Sequence, residues 1–401
     1  MHTRRSTTQI IPLSSQSKSP GRAMAPIALA LFFGFISVGL PLPIVPLFVN
    51  QVLGYGDVIV GVAVGLQFLA TVLTRSYAGR VADTQGGKLS ATRGALICAL
   101  SGLIYVIAAS LTASPTTALI ILLVGRILAG VGEGQLVTGS VAWMIARAGP
   151  VNAGRAMSLN GMAMYASVAL GAPLGMVIYR HAGFTTGIAT TIIAPLTGCA
   201  IAWRTPAAFS PAGIRVPMQR VLGLIWRSGF SLLLQGVGFA VISAFSSLFF
   251  ASRGWTHAGL AMTLFGAAYA VMRVLFGHVP DRIGGYAVAI ASLTVEAMGQ
   301  SLLWLSPNEA TALFGAFFSG MGCSLLFPAL GVEMLKKIPA HSRGTALGGF
   351  VAFQDVAYGV TGPMTGILAS TAGYASVFLV GSIAALLGIG SVLLERQATS
   401  A

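Results

Sequence analysis

Charged side chains are scarce in this sequence: they make up 8% of its 401 residues, against 55% for hydrophobic types. A soluble globular protein carries about a quarter charged residues, so this chain lacks the polar surface that a water-soluble fold needs. The shortage excludes soluble enzymes, disordered proteins and nucleic-acid binders, although the formal net charge is +14. Membrane lipid is the surrounding that this composition fits.

Cysteine and histidine are sparse as well. Cys98, Cys199 and Cys323 lie far apart in apolar runs, and none of the five histidines is paired at ligand spacing. A phosphate-binding loop of the Walker type is missing, because Lys88 is followed by Leu89. We therefore predict no disulfide, no metal site and no cofactor, and we expect no enzymatic activity.

Long apolar runs dominate what is present. A helix needs about 20 mostly apolar residues to cross a bilayer, and runs of this length indicate helices rather than barrel strands. The sequence predicts an all-α integral membrane protein with twelve transmembrane helices. The spans cover roughly 24–49, 57–78, 89–111, 117–144, 155–179, 184–203, 221–250, 257–277, 286–305, 309–335, 344–369 and 374–394.

The loops divide these spans into two sets of six. The predicted units are a disordered cytoplasmic tail, a first six-helix bundle, a cytoplasmic linker, a second bundle and a cytoplasmic tail, at 1–22, 23–203, 204–220, 221–395 and 396–401. Placing both chain ends in the cytoplasm leaves only Arg180 and Arg253 in loops on the other side, which satisfies the positive-inside rule. The positive charge is therefore a feature of membrane topology.

An internal repeat supports two related halves. The residues Arg75, Gly79, Val81, Asp83, Gly86 and Gly87 recur 198 positions later as Arg273, Gly277, Val279, Asp281, Gly284 and Gly285. Two shorter matches follow in order, Gly130 and Gly132 with Gly320 and Gly322, and Arg155, Leu159 and Gly161 with Arg343, Leu347 and Gly349. These matches predict two pseudo-symmetric six-helix bundles related by an axis along the membrane normal.

Three segments resemble motifs of one transporter family. Gly79–Lys88 resembles the loop 2–3 signature of the major facilitator superfamily, Arg126–Gly132 its span 4 motif, and Gly171–Gly175 a partial form of the span 5 motif of its exchangers. The resemblance covers residues 24–395. It implies a bacterial inner-membrane secondary transporter of the efflux type, in which spans 1, 4, 7 and 10 line the cavity. We expect it to function as a monomer.

The loop signature predicts a cytoplasmic gate between the halves. Asp83 can pair with an Arg and with a helix N-terminus, and Gly86 and Gly87 permit the tight turn. The family has Arg directly after this Asp, whereas this sequence has Thr84, so Arg80 and Lys88 remain the candidate partners. The predicted gate residues are Arg75, Gly79, Asp83, Gly86, Gly87, Arg273, Gly277, Asp281 and Gly284.

Charges inside spans are expensive and therefore candidates for function. Arg126 and Glu133 are seven residues apart on span 4 and share a helix face. Glu133 is predicted to carry a proton or bind a cation, and Arg126 to anchor an anionic solute or tune proton affinity. The alternative is a static ion pair that locks span 4 against its neighbours.

Two further acids lie inside spans of the second half. Asp355 lies near the middle of span 11, where a carboxyl that loads and releases a proton would serve an exchanger. The alternative is a permanently protonated acid that packs helices. Glu296 lies on span 9, an outer support in the resembled family, and we expect it to be paired structurally.

The remaining predicted residues line the cavity or bend helices. The cavity lining is Phe35, Ser37, Gln235, Phe239, Phe318 and Ser319, and the hinges are Gly171, Pro173, Gly175, Gly362, Pro363 and Gly366. The predicted function is proton-coupled export of a small, moderately hydrophobic or amphipathic solute. The alternatives are an uptake symporter or facilitator for a small anion held by Arg126, and a receptor or scaffold without solute flux.

Overall fold

The fold is helical throughout the described residues, which in this computed structural model are 20–208, 218–338 and 343–400. No strand occurs in these ranges. The α-helices are α1 Pro20–Gly39, α2 Pro41–Leu47, α3 Asp57–Gln85, α4 Gly87–Ser110, α5 Pro115–Ala148, α6 Ala153–Arg204, α7 Met218–Ser252, α8 Ala258–Phe276, α9 Val279–Ile283, α10 Gly285–Trp304, α11 Glu309–Lys336, α12 Arg343–Ala372 and α13 Ala375–Ser400.

Ten helices of the described part are long and apolar enough to cross a membrane. One of them joins α1, α2 and the π-helical turn Phe48–Val52 into a single span, Pro20–Val52. Helix α6 contains two predicted spans and is broken at Gly183, whose φ of 77° is not helical. The predicted span 344–369 lies on α12, which is not among the ten. The all-helical membrane fold is confirmed, and the count of twelve crossings stays a prediction.

The helix ends differ slightly from the predicted units. Helix α1 begins at Pro20, so three residues assigned to the first tail are helical, and α13 continues through most of the predicted second tail to Ser400. Helix α7 begins at Met218, inside the predicted linker. The bundle boundaries stay predictions, and residues 1–19, 209–217, 339–342 and 401 lie outside the described residues.

Close helix contacts at glycine hold each half together. A Cβ added to Gly132 on α5 would lie 2.8 Å from the Cys98 sulfur of α4. A Cβ added to its repeat partner, Gly322 on α11, would lie 2.6 Å from the Ser292 carbonyl oxygen of α10. Small residues at such positions let helix backbones approach each other closely. This close packing matters in a membrane, because an apolar side chain contacts lipid tails as favourably as it contacts another helix. The repeat partners therefore make matching contacts.

The two halves meet along two antiparallel helix pairs. On the first pair, a Cβ added to Gly366 of α12 would lie 2.6 Å from the Asp57 carbonyl oxygen of α3. On the second, a Cβ added to Gly266 of α8 would lie 2.8 Å from the Tyr165 carbonyl oxygen of α6. We call the two ends of the bundle the Asp57 end and the Asp83 end, after the first turn and the last turn of α3.

A hydrogen bond joins the halves at the Asp57 end. The Tyr374 hydroxyl, between α12 and α13, donates to Asp57 Oδ1 at 2.8 Å. Partial burial and the neighbouring Asp57 carboxyl raise the pKa of Tyr374. The phenol therefore stays protonated and continues to donate at physiological pH.

Candidate functional site

An ion pair between the halves is the centre of the candidate site. Arg75 Nη2 on α3 donates to Asp355 Oδ2 on α12, and the side chains are only 17% and 9% exposed. The pair lies between the Asp83 end and the close glycine contacts of α3 and α12. It therefore unites a predicted gate residue with a predicted proton carrier. Movement of α12 away from α3 breaks it.

Glu133 and Arg126 both face α3, which confirms the prediction that they share a helix face. Glu133 Oε2 accepts a hydrogen bond from Gln67 Nε2 at 2.7 Å. Arg126 is fully buried and donates to the carbonyl oxygens of Ala63 at 2.7 Å and Val64 at 3.1 Å. Each side chain therefore has its own partner on α3.

The four buried charges form one electrostatic group. Glu133 interacts with Asp355, Arg75 and Arg126, although within the described ranges it makes no ion pair closer than 4.0 Å. Arg126 Nη1 has no hydrogen-bond partner among the described residues. Two carboxyl groups and two guanidinium groups therefore balance within the membrane, and the alternative of a static Arg126–Glu133 ion pair is wrong for this conformation.

Six aromatic residues of both halves form a second feature of the site, which we call the aromatic cluster. Tyr165 on α6 stacks on Tyr269 of α8 with ring centroids 3.6 Å apart, and its hydroxyl lies 3.2 Å from that of Tyr358 on α12. Because one side comes from the first half and the other from the second, the cluster separates when the halves move. Its members are Phe68, Tyr165, Phe239, Phe265, Tyr269 and Tyr358.

Arg273, the repeat partner of Arg75, has a different environment. Its Nη2 donates to the Tyr269 hydroxyl at 2.6 Å, and its guanidinium lies 5.2 Å from the centre of that ring. No carboxylate of the described chain lies within ion-pair distance of it. The Asp281 that the repeat associates with it lies exposed on α9. The two halves are thus alike in fold and unlike in charge at this position.

Sequence comparison assigns the chain to a family. The family model described as Major Facilitator Superfamily matches residues 27–258 and 228–400. The chain belongs to the Major Facilitator Superfamily. An MFS-type transporter of Salmonella typhimurium is 45% identical over 372 residues, which cover 92% of this chain and 96% of the relative.

Solved structures show the same superfamily fold. A D-xylose–proton symporter superposes with a TM-score of 0.72 at 16% identity, covering 92% of this chain and 96% of the other. The human organic anion transporter MFSD10 superposes with a TM-score of 0.70 at 15% identity, covering 94% and 100%. The family that the sequence motifs resemble is confirmed by the family model and the relative, and the chain is a multi-pass membrane protein of that superfamily.

The superfamily loop lies between α3 and α4 in the first half, and its repeat lies between α9 and α10 in the second. The backbone of the two loops is alike at the matched glycine. Gly86 has a φ of 94° and its repeat partner Gly284 a φ of 93°, values that favour glycine. Lys88 donates to the carbonyl oxygens of Trp203 at 3.0 Å and Thr205 at 2.8 Å, at the end of α6. One candidate partner of Asp83 is thus engaged with another helix.

The other gate residues occupy varied surroundings. Asp83 is half-buried in the last turn of α3. Gly79 faces open space, whereas a Cβ on Gly87 would meet the Gly139 carbonyl oxygen of α5 at 2.6 Å. Gly277 follows α8 directly, and its nitrogen donates to the Arg273 carbonyl oxygen at 3.1 Å. The gating role of these residues stays a prediction.

Two of the six predicted lining residues lie on α7 and contact residues of α12. Gln235 on α7 donates to Cys323 Sγ at 2.8 Å and accepts from Gln354 of α12 at 3.0 Å. Phe239, one turn further along α7, belongs to the aromatic cluster, with its ring 4.7 Å from that of Tyr358.

The other four lining residues are buried or half-buried elsewhere in the bundle. Ser37 is buried and its hydroxyl donates to the Gly34 carbonyl oxygen at 2.7 Å. Ser319 is buried against α10, because a Cβ on Gly299 would lie 2.6 Å from its hydroxyl oxygen. Phe35 is buried in the hydrophobic core, and Phe318 is half-buried.

The predicted hinges lie at close helix crossings. A Cβ on Gly175 would lie 2.6 Å from the Leu40 carbonyl oxygen, and one on Gly171 would lie 3.0 Å from the Leu40 nitrogen, so both face α1 and α2. On α12, Gly362, Pro363 and Gly366 face α3, and Pro173 of α6 faces Gly259 of α8. Bending at these positions stays a prediction.

The partners of Glu296, which was expected to be paired structurally, are neutral groups. Glu296 on α10 is fully buried, and no cationic side chain within the described ranges lies within 4.0 Å of its carboxyl. Its partners are Cys323 and Gln235, both uncharged at neutral pH. The contacts are hydrogen bonds and not an ion pair, because the neighbouring helices α7 and α11 present glycine, amide and thiol groups to the carboxyl.

Sequence reasoning missed the aromatic cluster as a unit. The signal was available in part: Tyr269 precedes Arg273 by one helical turn, and Tyr358 follows Asp355 at a similar spacing, so each shares a face with a charged residue. Tyr165 carries no such signal, because its partners lie on α8 and α12.

Proposed function

We propose that this protein is a secondary active transporter that exports a small, moderately hydrophobic or amphipathic solute across the bacterial inner membrane by alternating access, coupled to protons. The proposal includes cytoplasmic placement of both chain ends. The observation that carries it is the Arg75–Asp355 ion pair, which joins the two halves inside the membrane. An ionic contact at this place makes the opening of the halves depend on charge.

Protonation provides the coupling step. Neutralising Asp355 removes its attraction to Arg75 and weakens the contact between α3 and α12. Glu133 interacts electrostatically with the same two groups, so a proton on either carboxyl changes the balance of charge around Arg75. The proton-loaded state then favours separation of the halves on the Asp83 side of the glycine contacts, and the proton-free state favours the ion pair.

The aromatic cluster provides the solute-binding surface. Its rings come from α3, α6, α7, α8 and α12, and they offer flat apolar faces together with the hydroxyl groups of Tyr165 and Tyr358. Apolar faces with a few polar groups suit an amphipathic solute. Arg273 beside Tyr269 adds a positive charge at the edge of this surface.

The test uses full-length protein in two steps. A thermal-shift screen of a solute library first finds compounds that stabilise the protein, because binding to the folded state raises the unfolding temperature. Transport of a compound found in this way is then measured in proteoliposomes, with and without an imposed pH gradient. We expect gradient-driven transport by wild type and by Glu309→Gln, an acid at the start of α11, and loss of gradient dependence in Asp355→Asn and Glu133→Gln.

Two results contradict the proposal. Equal transport with and without the gradient in wild type excludes proton coupling. Accumulation by the Asp355→Asn and Glu133→Gln variants that equals wild type excludes these two carboxyls as the coupling groups.

A second candidate is uptake of a small anion held by Arg126. The observation that favours it is the unpartnered Nη1 of this buried guanidinium, which leaves N–H groups for an anion. Anionic compounds should then stabilise wild type and fail to stabilise Arg126→Gln. Stabilisation of both proteins by neutral or cationic amphipathic compounds favours export of such solutes instead.

A further inference from the structure

Glu296 is a buried carboxyl of the second half that has no counter-charge among the described residues. Its Oε1 accepts from Cys323 Sγ at 3.3 Å and from Gln235 Nε2 at 3.5 Å, and its Oε2 has no partner among the described residues. Glu296 is fully buried, and its carboxyl lies against Gly238 of α7. Within the part of the chain that the structure describes, Glu296 therefore has two weak donors.

Three other buried acids of the second half are compensated. Asp355 is paired with Arg75, Glu333 with Lys336 and Glu395 with Lys337. An ionised carboxylate buried without a partner costs several kcal/mol, and a neutral carboxylic acid avoids that cost. The environment of Glu296 therefore favours the acid that carries a proton.

The groups around Glu296 do not offer an alternative site for that proton. Helix α11 presents Cys323, whose thiol already donates to Glu296, and α7 presents Gln235, which does not titrate. Helix α13 presents Gly381 and Ser382 to the neighbouring turns of α10, and neither of these titrates. Glu296 is the proton acceptor of this group.

A chain of amides connects Glu296 with the contact between the halves. Gln235 Nε2 faces Glu296 Oε1, and Gln235 Oε1 accepts from Gln354 Nε2 at 3.0 Å. Gln354 is the residue before Asp355, whose carboxylate is paired with Arg75. Gln354 and Gln235 both belong to the second half, so their hydrogen bond breaks when α12, freed from Arg75, shifts relative to α7.

We propose that Glu296 is a proton-binding residue of the transport cycle. In this proposal, Gln235 and Gln354 link the protonation of Glu296 to the making and breaking of the Arg75–Asp355 ion pair. When Gln354 leaves, Gln235 no longer closes this path, and water enters beside Glu296, where hydration stabilises the ionised carboxylate. The carboxyl O–H bond then breaks and its proton passes to a water molecule that enters the opened contact. This inference rests on the proposed proton-coupled function, and it adds a carboxyl outside the Glu133–Asp355 group.

Infrared spectroscopy of the purified full-length protein tests the protonation. We expect a carbonyl stretching band of a protonated carboxylic acid at neutral pH, a shift of this band in D₂O, and its loss in Glu296→Gln but not in Glu309→Gln. Glu296→Asp keeps an acid, so it should keep a band at an altered position if Glu296→Gln does not fold. An acid band that is identical in wild type and in both Glu296 variants overturns the proposal.

Exchange kinetics test the connection. Gln354→Leu should change the rate at which the Glu296 band shifts in D₂O by several-fold, and an unchanged rate excludes the amide chain. The spectra require no solute, so they decide whether Glu296 carries a proton separately from the transport assay, in which independence of the pH gradient is the result that defeats the proposed function.

A separate observation concerns a basic pocket at the Asp83 end of the first half. The pocket has a volume of about 550 Å³ and lies between the start of α1 and the ends of α5 and α6. Three guanidinium groups and no acid line it, from Arg22, Arg147 and Arg204. Arg147 also donates to the Pro206 carbonyl oxygen at 3.3 Å, which fixes one of the three.

The position of the pocket matches the headgroup level of a membrane. Trp203, the residue before Arg204, is 84% exposed. Exposed tryptophan is enriched at the membrane–water interface, where a helix leaves the lipid. Leu29 and Leu196 of the same two helices are exposed on the side of the membrane core. A bound molecule can therefore hold a phosphate in the pocket and lay acyl chains along α1 and α6.

We infer that this pocket binds the phosphate headgroup of an anionic phospholipid. Arginine recognises phosphate through paired N–H groups, and basic pockets between membrane helices on the cytoplasmic side suit such headgroups. Arg180 provides a matched control, because it lines a pocket of about 460 Å³ around Gly183, at the other end of the first half.

Native mass spectrometry of the full chain released from nanodiscs tests this site. In an equimolar mixture of phosphatidylglycerol and phosphatidylcholine, we expect wild type and Arg180→Gln to retain phosphatidylglycerol preferentially. The double variant Arg22→Gln/Arg204→Gln should lose at least half of that preference. Equal retention by the double variant and the control overturns the inference, and so does displacement of the lipid by soluble glycerol phosphate, which identifies a site for a free anion.

Discussion

Gly61 of α3 and Gly362 of α12 touch through their backbones: a Cβ added to Gly362 would lie 2.8 Å from the Gly61 carbonyl oxygen. Real Cβ atoms essentially never come so close to another atom, so neither helix can carry a larger residue here without moving. The contact lies between the Asp57 end and the Arg75–Asp355 ion pair. The halves are therefore held by glycine packing on one side of the ion pair.

Substitution of Gly362 by alanine should loosen this contact. Overpacking of a tight site costs about 1–3 kcal/mol, and we expect Gly362→Ala to lower the apparent Tm in detergent accordingly. Gly348→Ala is the control, because Gly348 lies on the same helix and its Cβ would meet open space. That variant should match or exceed wild type, since alanine favours a helix over glycine by up to about 1 kcal/mol. Equal Tm values for both variants contradict the packing argument.

The Arg75–Asp355 pair should show energetic coupling in a double-mutant cycle. Arg75→Gln and Asp355→Asn each leave the partner charge without its ion pair in a largely buried place, which should cost about 1–3 kcal/mol. The double variant should lose less than the sum of the two, with a coupling energy of about 0.5–3 kcal/mol measured by chemical unfolding. An additive result means that the side chains do not interact in the folded protein.

Lys336→Gln serves as the control for that cycle. Lys336 pairs with Glu333 three residues earlier on α11, within one half, and its side chain is 61% exposed. Ion pairs of this kind contribute up to about 1 kcal/mol. If Lys336→Gln loses as much unfolding free energy as Arg75→Gln, the loss reflects a general effect of charge removal rather than a contact between the halves.

Two substitutions in the aromatic cluster should distinguish its role in solute binding from its role in the stability of the fold. Tyr165→Phe keeps the stack on Tyr269 and removes only the hydroxyl contact with Tyr358, so we expect a change in the free energy of unfolding below about 1.5 kcal/mol. Tyr165→Ala also removes the stack, and we expect it to weaken the binding of screened solutes at least tenfold. Isothermal titration of both variants gives the affinities, and unchanged affinity in Tyr165→Ala excludes the cluster as the solute site.

The sequence was sufficient for features that depend on composition and period. Apolar length predicted the membrane helices, and spacing placed Arg126 and Glu133 on the face that packs against α3. The matched loop glycines Gly86 and Gly284 have the same φ in the structure, as the repeat suggested.

The partners of the charged residues could not be predicted in this way. Arg75 lies eight positions before Asp83 and 280 before Asp355, and only the packing of α3 on α12 makes the distant acid its partner. The isolation of Glu296 likewise depends on which residues α7 and α11 present at its depth. Pairing between helices is a property of tertiary packing, and a single sequence carries little information about it.

The orientation in the membrane is open to a direct test by cysteine labelling. Gly56 at the Asp57 end and Gly223 on α7 both face open space and are exposed, so cysteine fits at either position. In a background without Cys98, Cys199 and Cys323, we expect an impermeant maleimide to label Gly56→Cys in intact cells.

The same reagent should label Gly223→Cys only in inverted vesicles. The physical reason is the distribution of cations: Arg22, Arg147 and Arg204 cluster at the Asp83 end, and positively charged loops stay in the cytoplasm. Because α7 begins near this end in the proposed topology, its first turns should be reached only from the cytoplasmic side. Labelling of Gly223→Cys in intact cells would show the opposite orientation. The basic pocket would then lie on the outer face, which contradicts the positive-inside rule.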